Sequence, residues 1–269
     1  MKKRMILALC LAFVAAEAMA WSGHTHNTIG HIADQHLTPE AKQKCHHYLR
    51  HTLAYYASWQ DDVAFSKEYA ETRFWHGVRY DAKNRYQYRE GRNAITHIIR
   101  IWDEMKEGGY KKLSDSTIIV NLKLLAHMVG DMHCPCHSKF SKRYFPQYKG
   151  KKAVYRGKKE VSYHGFWDGS PAMGRRGWEV EDYAKNVDRV SKKQAAAWQS
   201  GTLEDWGRDI AKGAHRGFAL YPEGLNIADL TPKERKAIMA LADEMAMQGA
   251  YRLAHVLNTI FADKSIETR

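Results

Sequence analysis

The amino-acid sequence predicts an all-α protein with one short β-hairpin. Apolar residues recur every three or four positions in several long stretches, which is the spacing of an amphipathic helix. Threonine is followed by proline at Thr38-Pro39 and at Thr231-Pro232, and this pair is typical of a helix start. Only residues 144–163 have the short polar pattern of a hairpin.

The predicted helices follow one another along the chain. They comprise an N-terminal helix that includes Ile29 and Ile32, residues 39–56, residues 92–107, a central helix that Asp115 can cap, and residues 178–199, 203–219 and 232–261. The strands of the hairpin are expected at 154–158 and 161–163. Gly108-Gly109 ends the helix predicted over 92–107. Pro135 ends the central helix, because proline lacks a backbone N–H donor.

The first twenty residues have the pattern of a secretory signal peptide. Lys2-Lys3-Arg4 provide the charged start, residues 5–16 are apolar, and Ala18-Met19-Ala20 is a small-residue cleavage site. The apolar segment is too short to span a bilayer with ease. We therefore expect residues 1–20 to be removed and residues 21–269 to form a single domain. The expected location is secreted or periplasmic, without a stable membrane anchor, and a monomer is the default expectation.

The composition is that of a packed, basic protein. Hydrophobic residues make up 44% of the chain and aromatic residues 12%, which argues against disorder. The formal net charge of +12 over 269 residues would attract polyanions such as nucleic acid or anionic lipid. A solvated surface explains any single cluster of these charges equally well.

Cysteines give an ambiguous signal. Cys45, Cys134 and Cys136 follow the cleavage site, and an odd number cannot be fully paired within one chain. Cys134 and Cys136 are poorly placed to pair with each other across one proline. Pairing of Cys45 with one of them and a zinc–thiolate role both stay open.

Residues that can carry chemistry concentrate between Leu124 and His137. His127 and Asp131 are four residues apart and therefore share one helix face. A turn that starts at Pro135 can bring His137 back towards that face. Imidazole and carboxylate together suit a divalent metal, usually zinc.

A second fragment, His164-Gly-Phe-Trp-Asp168, repeats the four-residue spacing. Either fragment alone is more often a surface pair or a hydrogen-bonded core histidine. The metal hypothesis therefore depends on both fragments and on further ligands elsewhere in the chain.

Together the motifs resemble the zinc-dependent S1/P1 nuclease family, which shares its fold with the zinc phospholipases C. The resemblance covers essentially all of the mature chain, and its motifs occur in the order of the family. The matching metal-ligand positions are Trp21, His26, Asp61, His76, His127, Asp131, His137, His164 and Asp168.

The resemblance implies a phospholipase C/P1 nuclease-like helical fold that binds three Zn²⁺ ions. The first ion would be held by Asp61, His76, His127 and Asp131; the second by the amino nitrogen and carbonyl oxygen of Trp21, by His26 and by Asp131; the third by His137, His164 and Asp168. Because an amide nitrogen has no available lone pair, the use of the Trp21 amine implies activity only after cleavage before Trp21.

The resemblance also implies the reaction. It would be hydrolysis of phosphodiester bonds in single-stranded DNA or RNA, giving 5′-phosphorylated products, with activity on 3′-nucleotides left open. The implied nucleophile is a hydroxide shared by the two zinc ions that Asp131 bridges, because zinc lowers the pKa of bound water to roughly 7. Asp61 would orient it, so Asp61 and Asp131 are the expected catalytic residues.

The nucleotide pocket departs from the family pattern. Gly77 replaces an aromatic residue that usually stacks on a base, Arg79 replaces a base-reading acid, and Ala64 replaces an arginine. Base preference is therefore expected to be weak. The candidate substrate contacts are Lys67, Trp75, Val78 and Arg79, and the candidate stacking residues are Trp75, Tyr80 and Phe166.

Two other functions fit parts of the pattern. A zinc phospholipase C resembles this chain in its Trp and His ligands but usually carries glutamate where this chain has Asp168. A non-catalytic, basic nucleic-acid-binding protein explains the charge but not the aligned ligands. Two histidines have open roles: His24 is a rival to His26 as a ligand, and His133 is a candidate hydrogen-bond partner for a ligand.

Overall fold

The computed structural model describes residues 21–87, 92–140, 152–171, 173, 175 and 177–262. The predicted signal peptide lies outside these residues. The described part consists mainly of helices with two small sheets, which confirms the predicted all-α class. The α-helices are α1 Gly23–Gln35, α2 Pro39–Leu49, α3 Leu53–Tyr56, α4 Trp59–Val63, α5 Ala94–Met105, α6 Asp115–Met132, α7 Tyr163–Gly169, α8 Val180–Val187, α9 Lys192–Gln199, α10 Leu203–Leu220 and α11 Pro232–Phe261.

The long helices α6 and α11 form the centre of the fold. Helix α6 packs against α5 and α11, while α1 packs against α3, α8 and α11. The approach of α1 to α3 is close because residue 30 is glycine: a Cβ atom there would lie 2.9 Å from the backbone nitrogen of Ala54. Among the described helices, none is long and apolar enough to cross a membrane.

Two of the predicted helices are interrupted. The helix predicted over 39–56 ends at Leu49, because Arg50 adopts a left-handed conformation with φ 57°, and α3 starts afresh at Leu53. The helix predicted over 178–199 breaks at Asp188. The Asp188 carboxylate accepts hydrogen bonds from Tyr251 and His36, each at 2.8 Å, so contacts with distant helices stabilise the break.

The predicted hairpin is present as the antiparallel pair β3, Val154–Arg156, and β4, Lys159–Val161. Its second strand lies two residues earlier than the predicted 161–163, because Ser162 caps α7 and Tyr163 begins that helix. A second sheet was not predicted. It consists of the parallel strands β1, Val78–Tyr80, and β2, Ser138–Phe140. This sheet pairs the segment after His76 with the segment after His137. It therefore positions these two histidines, which are both candidate ligands.

Candidate metal centre

Helix α6 presents two candidate ligands from one buried face. Its N-cap is Ser114 rather than the predicted Asp115, and the Ser114 hydroxyl accepts a hydrogen bond from the Thr117 backbone N–H. His127 and Asp131 are both fully buried near its C-terminal end. A 3₁₀ turn over Pro135–His137 then reverses the chain, as the proline predicts.

The carboxylate of Asp131 and two imidazoles form the centre of the cluster. His76 Nδ1 lies 2.6 Å from Asp131 Oδ2, and His127 Nε2 lies 3.2 Å from both of these atoms. Asp61 Oδ1 lies 3.5 Å from His127 Nε2 and 3.7 Å from His76 Nδ1. Ligands about 2.0–2.1 Å from a tetrahedral zinc are roughly 3.3–3.4 Å apart. The 3.2–3.5 Å contacts of His127 Nε2 with the other three atoms match that spacing, while the 2.6 Å contact between His76 and Asp131 is shorter.

His26 reaches the same cluster from α1. Its Nε2 atom lies 3.1 Å from Asp131 Oδ1, and its ring is stacked on His127 with the ring centroids 4.1 Å apart. The rival His24 is directed elsewhere, because its Nε2 atom lies 2.9 Å from the carbonyl oxygen of Trp178. Of these two histidines, His26 alone has the geometry of a ligand in this cluster.

The start of the described chain is anchored beside this cluster. The fully buried indole of Trp21 donates its N–H to the carbonyl oxygen of Gly130 at 3.1 Å. The backbone N–H of Ser22 donates to the carbonyl oxygen of Asp168 at 3.3 Å. Residue 21 is therefore held between α6 and α7, next to Asp131 in space.

A second group of donors lies where the 3₁₀ turn meets α7. His137 Nε2 and His164 Nε2 are 2.9 Å apart, and His164 Nε2 lies 3.9 Å from Asp168 Oδ1. The thiol of Cys136 donates to Asp168 Oδ1 at 3.4 Å and lies within reach of a metal shared with both histidines. The sequence leaves a zinc–thiolate role for Cys136 open, because residue spacing does not show where its sulfur points.

The cysteine pairing left open by the sequence has a simple outcome in the structure. Cys45, Cys134 and Cys136 are all free thiols. Cys45 is buried within α2, whereas the sulfur atoms of Cys134 and Cys136 lie 3.0 Å apart.

Backbone carbonyls orient two of the histidine rings. His127 Nδ1 lies 2.8 Å from the carbonyl oxygen of Ala57, and His137 Nδ1 lies 2.7 Å from that of His76. Each Nδ1 therefore carries the proton and donates it, which leaves Nε2 free to bind a metal.

Several buried polar atoms in the cluster have no hydrogen-bond partner. Among the described residues these are both carboxylate oxygens of Asp61 and Nδ1 of His26, while Nε2 of His26 and Oδ1 of Asp131 face only each other, at 3.1 Å. Unpaired buried polar atoms are costly, and their convergence on one point is the arrangement that a divalent cation satisfies. Oxygen and imidazole nitrogen donors fit zinc, so the residues present are suited to it.

A profile of the S1/P1 nuclease family matches residues 21–262. The chain belongs to the S1/P1 nuclease family. This confirms the resemblance seen in the sequence and makes the protein a nuclease-type hydrolase of a family that is zinc-dependent in general. A comparison with curated proteins found no match.

The carboxyl groups of this S1/P1 nuclease have displaced pKa values in the absence of a cation. Burial raises the pKa of Asp61 to about 6 and that of Asp168 to about 9. Burial acts in the same direction on Asp131, but the nearby His127 and His137 outweigh it and hold the pKa of Asp131 well below its usual value. The site therefore favours positive charge close to Asp131.

Three histidines of the site, His26, His127 and His137, fall into two electrostatic classes. Burial lowers the pKa of His26 to about 4 and that of His137 to about 3, so both are neutral at pH 7 and offer lone pairs. His127 is different: burial opposes its protonation, but Asp131 and Asp61 outweigh burial and raise its pKa to about 9. A metal at this point must therefore displace a proton from His127.

The pocket residues predicted from the sequence have mixed outcomes. Arg79 lines a recess beside His76. Trp75 packs its indole on His97, with ring centroids 3.7 Å apart. Lys67 is exposed and is not among the residues that line the two recesses next to His76.

Three apolar residues cannot serve as predicted. The side chain of Val78 is fully buried, which leaves it no surface for a substrate. Tyr80 and Phe166 are each 1% exposed, so neither ring is open to a base. The β1–β2 pairing explains part of the error, because it turns Val78 and Tyr80 into the core.

His133 also has a different role from the one considered. Its Nδ1 atom lies 2.7 Å from the carbonyl oxygen of Val129, and its Nε2 atom lies 3.0 Å from Nη1 of Arg252. The ring therefore connects α6 to α11 and does not support a metal ligand.

Proposed function

We propose that this S1/P1 nuclease hydrolyses phosphodiester bonds of single-stranded DNA and RNA, using three zinc ions and releasing 5′-phosphorylated products. The observation that carries the proposal is the convergence of donor atoms of His76, Asp61 and Asp131 at 3.2–3.5 Å from His127 Nε2. The basic surface charge supports a polyanionic substrate.

The proposed ligand sets are those that the resemblance to the family implies. The first zinc is assigned to Asp61, His76, His127 and Asp131; the second to Trp21, His26 and Asp131; the third to His137, His164 and Asp168. The short contacts of Asp131 Oδ1 with His26 and of Oδ2 with His76 support its assignment as the shared ligand. Cys136 is an additional donor for the third ion.

Bound zinc would polarise the phosphate oxygens and lower the pKa of a bound water to roughly 7. The protein side chains prepare this chemistry. Asp131 contacts both His26 and His76. The Asp61 oxygens, which have no hydrogen-bond partner among the described residues, can accept a hydrogen bond from a water and orient it towards phosphorus. Both acids are therefore proposed as catalytic residues.

Maturation is part of the proposal. Removal of residues 1–20 would create an α-amine at Trp21, whose indole is anchored beside Gly130 and thus next to Asp131. Secretion or export to the periplasm would supply both the cleavage and access to nucleic acids and nucleotides outside the cytoplasm. Residues 21–269 are proposed to act as one domain.

The substrate class is tested by offering the mature protein single-stranded DNA, single-stranded RNA, duplex DNA and phosphatidylcholine vesicles in parallel. We expect cleavage of both single strands, slower cleavage of the duplex and no lipid hydrolysis. The product ends should accept a ligase without prior phosphorylation. Lipid hydrolysis without nucleic-acid cleavage would indicate a phospholipase C, and binding of nucleic acid without cleavage would indicate a non-catalytic protein.

A matched pair of histidine variants connects the activity to the cluster. His127→Ala removes a buried cluster residue, whereas His47→Ala removes an exposed histidine on α2. We expect His127→Ala to lose both bound zinc and cleavage, and His47→Ala to retain both. Equal activity of the two variants would contradict the proposed site.

A further inference from the structure

A cluster of four basic side chains lies beside the metal centre. They line two adjoining recesses, of about 100 Å³ and about 330 Å³, which share His76, Gly77 and two of the basic residues. The larger recess also reaches His137 and His164. We call this set of side chains the basic recess, and its members are Arg73, Arg79, Arg92 and Lys139.

None of the residues that line the basic recess is acidic. Within the part of the chain that the structure describes, no carboxylate forms a salt bridge with its four cations. Two guanidinium groups are instead held by one aromatic ring: the Cζ atoms of Arg73 and Arg92 lie 4.7 Å and 4.6 Å from the centroid of Phe74. Phe74 is therefore engaged by cations and is not a free stacking surface.

The small sheet places two of these cations directly opposite each other. Arg79 of β1 is in register with Lys139 of β2. Like charges held close together repel each other. An anion that binds between or beside the two charges, next to the metal centre, would offset this repulsion.

Gly77 makes room for one of the cations. A Cβ atom at residue 77 would lie 3.1 Å from Cε and 3.4 Å from Nζ of Lys139, and 3.2 Å from the carbonyl oxygen of His137. The end of the lysine side chain therefore packs against the place that a Cβ atom at position 77 would take. Position 77 cannot offer an aromatic face, and a positive charge lies there instead.

We infer that the basic recess binds a second phosphate group of the substrate, adjacent to the phosphate that is cleaved. This inference rests on the proposed nuclease function and specifies its substrate: a strand or nucleotide that carries a flanking phosphate, recognised by charge and not by its base. The flanking group can be the next phosphodiester of a chain or a terminal phosphomonoester, since both present the same anionic oxygens.

Dithymidine substrates test the inference. TpT carries only the scissile phosphate, while pTpT and TpTp each add one terminal phosphate at a defined end. A charge-assisted hydrogen bond contributes about 1.5–3 kcal/mol, so at least one phosphorylated form should exceed TpT in kcat/KM by about 10–100-fold. Cleavage of the internucleotide bond is followed, and the difference should appear mainly in KM, because the added phosphate takes no part in that bond.

Arg79→Ala, Lys139→Ala and their double variant should reduce this ratio towards one. Arg100→Ala, which removes an equal charge from the exposed side of α5, should leave the ratio unchanged. On single-stranded DNA, removal of each cation that binds a phosphate should lower the slope of log(kcat/KM) against the logarithm of the salt concentration by about 0.7. These variants relieve a like-charge pair, so the midpoints of their thermal unfolding should not fall. A loss of folding would lower the midpoint and is therefore distinguishable from a loss of phosphate binding.

The outcomes separate this inference from the proposed function. If neither TpT nor single-stranded DNA is cleaved by the zinc-loaded protein, the nuclease proposal fails. If both are cleaved but the added phosphates give no advantage, or if the double variant keeps the full advantage, the basic recess does not bind a flanking phosphate. An advantage for pTpT alone or TpTp alone supports the inference and shows on which side of the cleaved bond the recess acts.

Discussion

The two oxygens of the Asp131 carboxylate face different histidines. Oδ1 lies 3.1 Å from His26 Nε2, and Oδ2 lies 2.6 Å from His76 Nδ1. His26 comes from α1, whereas His76 comes from the segment before β1. One carboxylate of α6 therefore joins two donor groups that are distant in the sequence, as the proposed sharing of Asp131 by two metal ions requires.

Replacement of the shared carboxylate should affect two ions at once. We expect Asp131→Asn to lower the zinc content by two ions per chain and to reduce affinity by more than the roughly 10–100-fold that loss of an outer hydrogen-bond partner costs. Metal content after dialysis, measured by atomic emission, checks this. Asp103→Asn removes an exposed carboxylate on α5 and is the matched control. Loss of a single ion would argue against sharing.

Zinc loading should release protons near neutral pH. The pKa values of His127 and Asp168 are both raised to about 9 in the absence of a cation, so both groups carry protons at pH 7. Each must lose its proton to bind metal, and zinc affinity should therefore rise as the pH is raised from 7 towards 9. Calorimetric titrations in two buffers of different ionisation enthalpy measure the release. Heats that do not depend on the buffer would contradict the assignment of these ligands.

The thiol of Cys136 should be detectable at the third site. Cobalt can replace zinc, and a cobalt–thiolate bond gives a charge-transfer absorption that nitrogen and oxygen ligands lack. We expect this band in the cobalt-loaded protein, its loss in Cys136→Ser and its retention in Cys45→Ser, because Cys45 is buried in α2. A spectrum without the band would mean that the sulfur, although close to His137 and His164, stays outside the coordination shell.

A buried arginine stabilises the helix that carries the ligands. Arg252 is fully buried, donates to the carbonyl oxygen of Trp198 at 2.8 Å and lies 3.0 Å from His133 Nε2. Arg252→Ala leaves the Trp198 carbonyl oxygen and His133 Nε2 without this partner, so it should lower the free energy of unfolding by about 1–3 kcal/mol for each buried group left unsatisfied. Urea denaturation measures this. The exposed Arg208→Ala should change stability by less than about 1 kcal/mol, and equal effects would refute the assigned role.

The identity of the first residue should control metal loading. A protein with extra residues before Trp21 has an amide nitrogen in place of the α-amine and loses that donor. We expect such a protein to bind less zinc and to show little cleavage until a protease exposes Trp21. Full activity of the extended protein would exclude the amine from the site. A protein that starts at Trp21 but has the indole removed, Trp21→Ala, separates loss of the amine from loss of the anchor to Gly130.

The sequence predicts those parts of the site that depend on local spacing. His127 and Asp131 are one helical turn apart, and the proline after them reverses the chain, so their neighbourhood follows from helix geometry. Asp61 and His76 approach them through long-range packing, and only the resemblance to a family identified them in advance. The fold class was predictable for the same reason, since long amphipathic helices are recognised from their own residues.

Features that arise from tertiary contacts were not predictable. Strands β1 and β2 contain three residues each and pair across about sixty residues of sequence, so neither has a pattern of its own. Their register nevertheless buries Val78 and Tyr80 and places Arg79 opposite Lys139. The break at Asp188 likewise depends on distant hydrogen bonds.

Zinc content and cleavage, measured together on protein whose first residue is verified as Trp21, test the central claim most directly. We expect close to three zinc ions per chain, cleavage of single-stranded DNA, loss of both after chelation and recovery of both after zinc is added back. Cleavage that persists after complete removal of the metal would contradict it. So would a chain that binds no zinc, because the converging donors of His76, His127 and Asp131 would then serve another purpose.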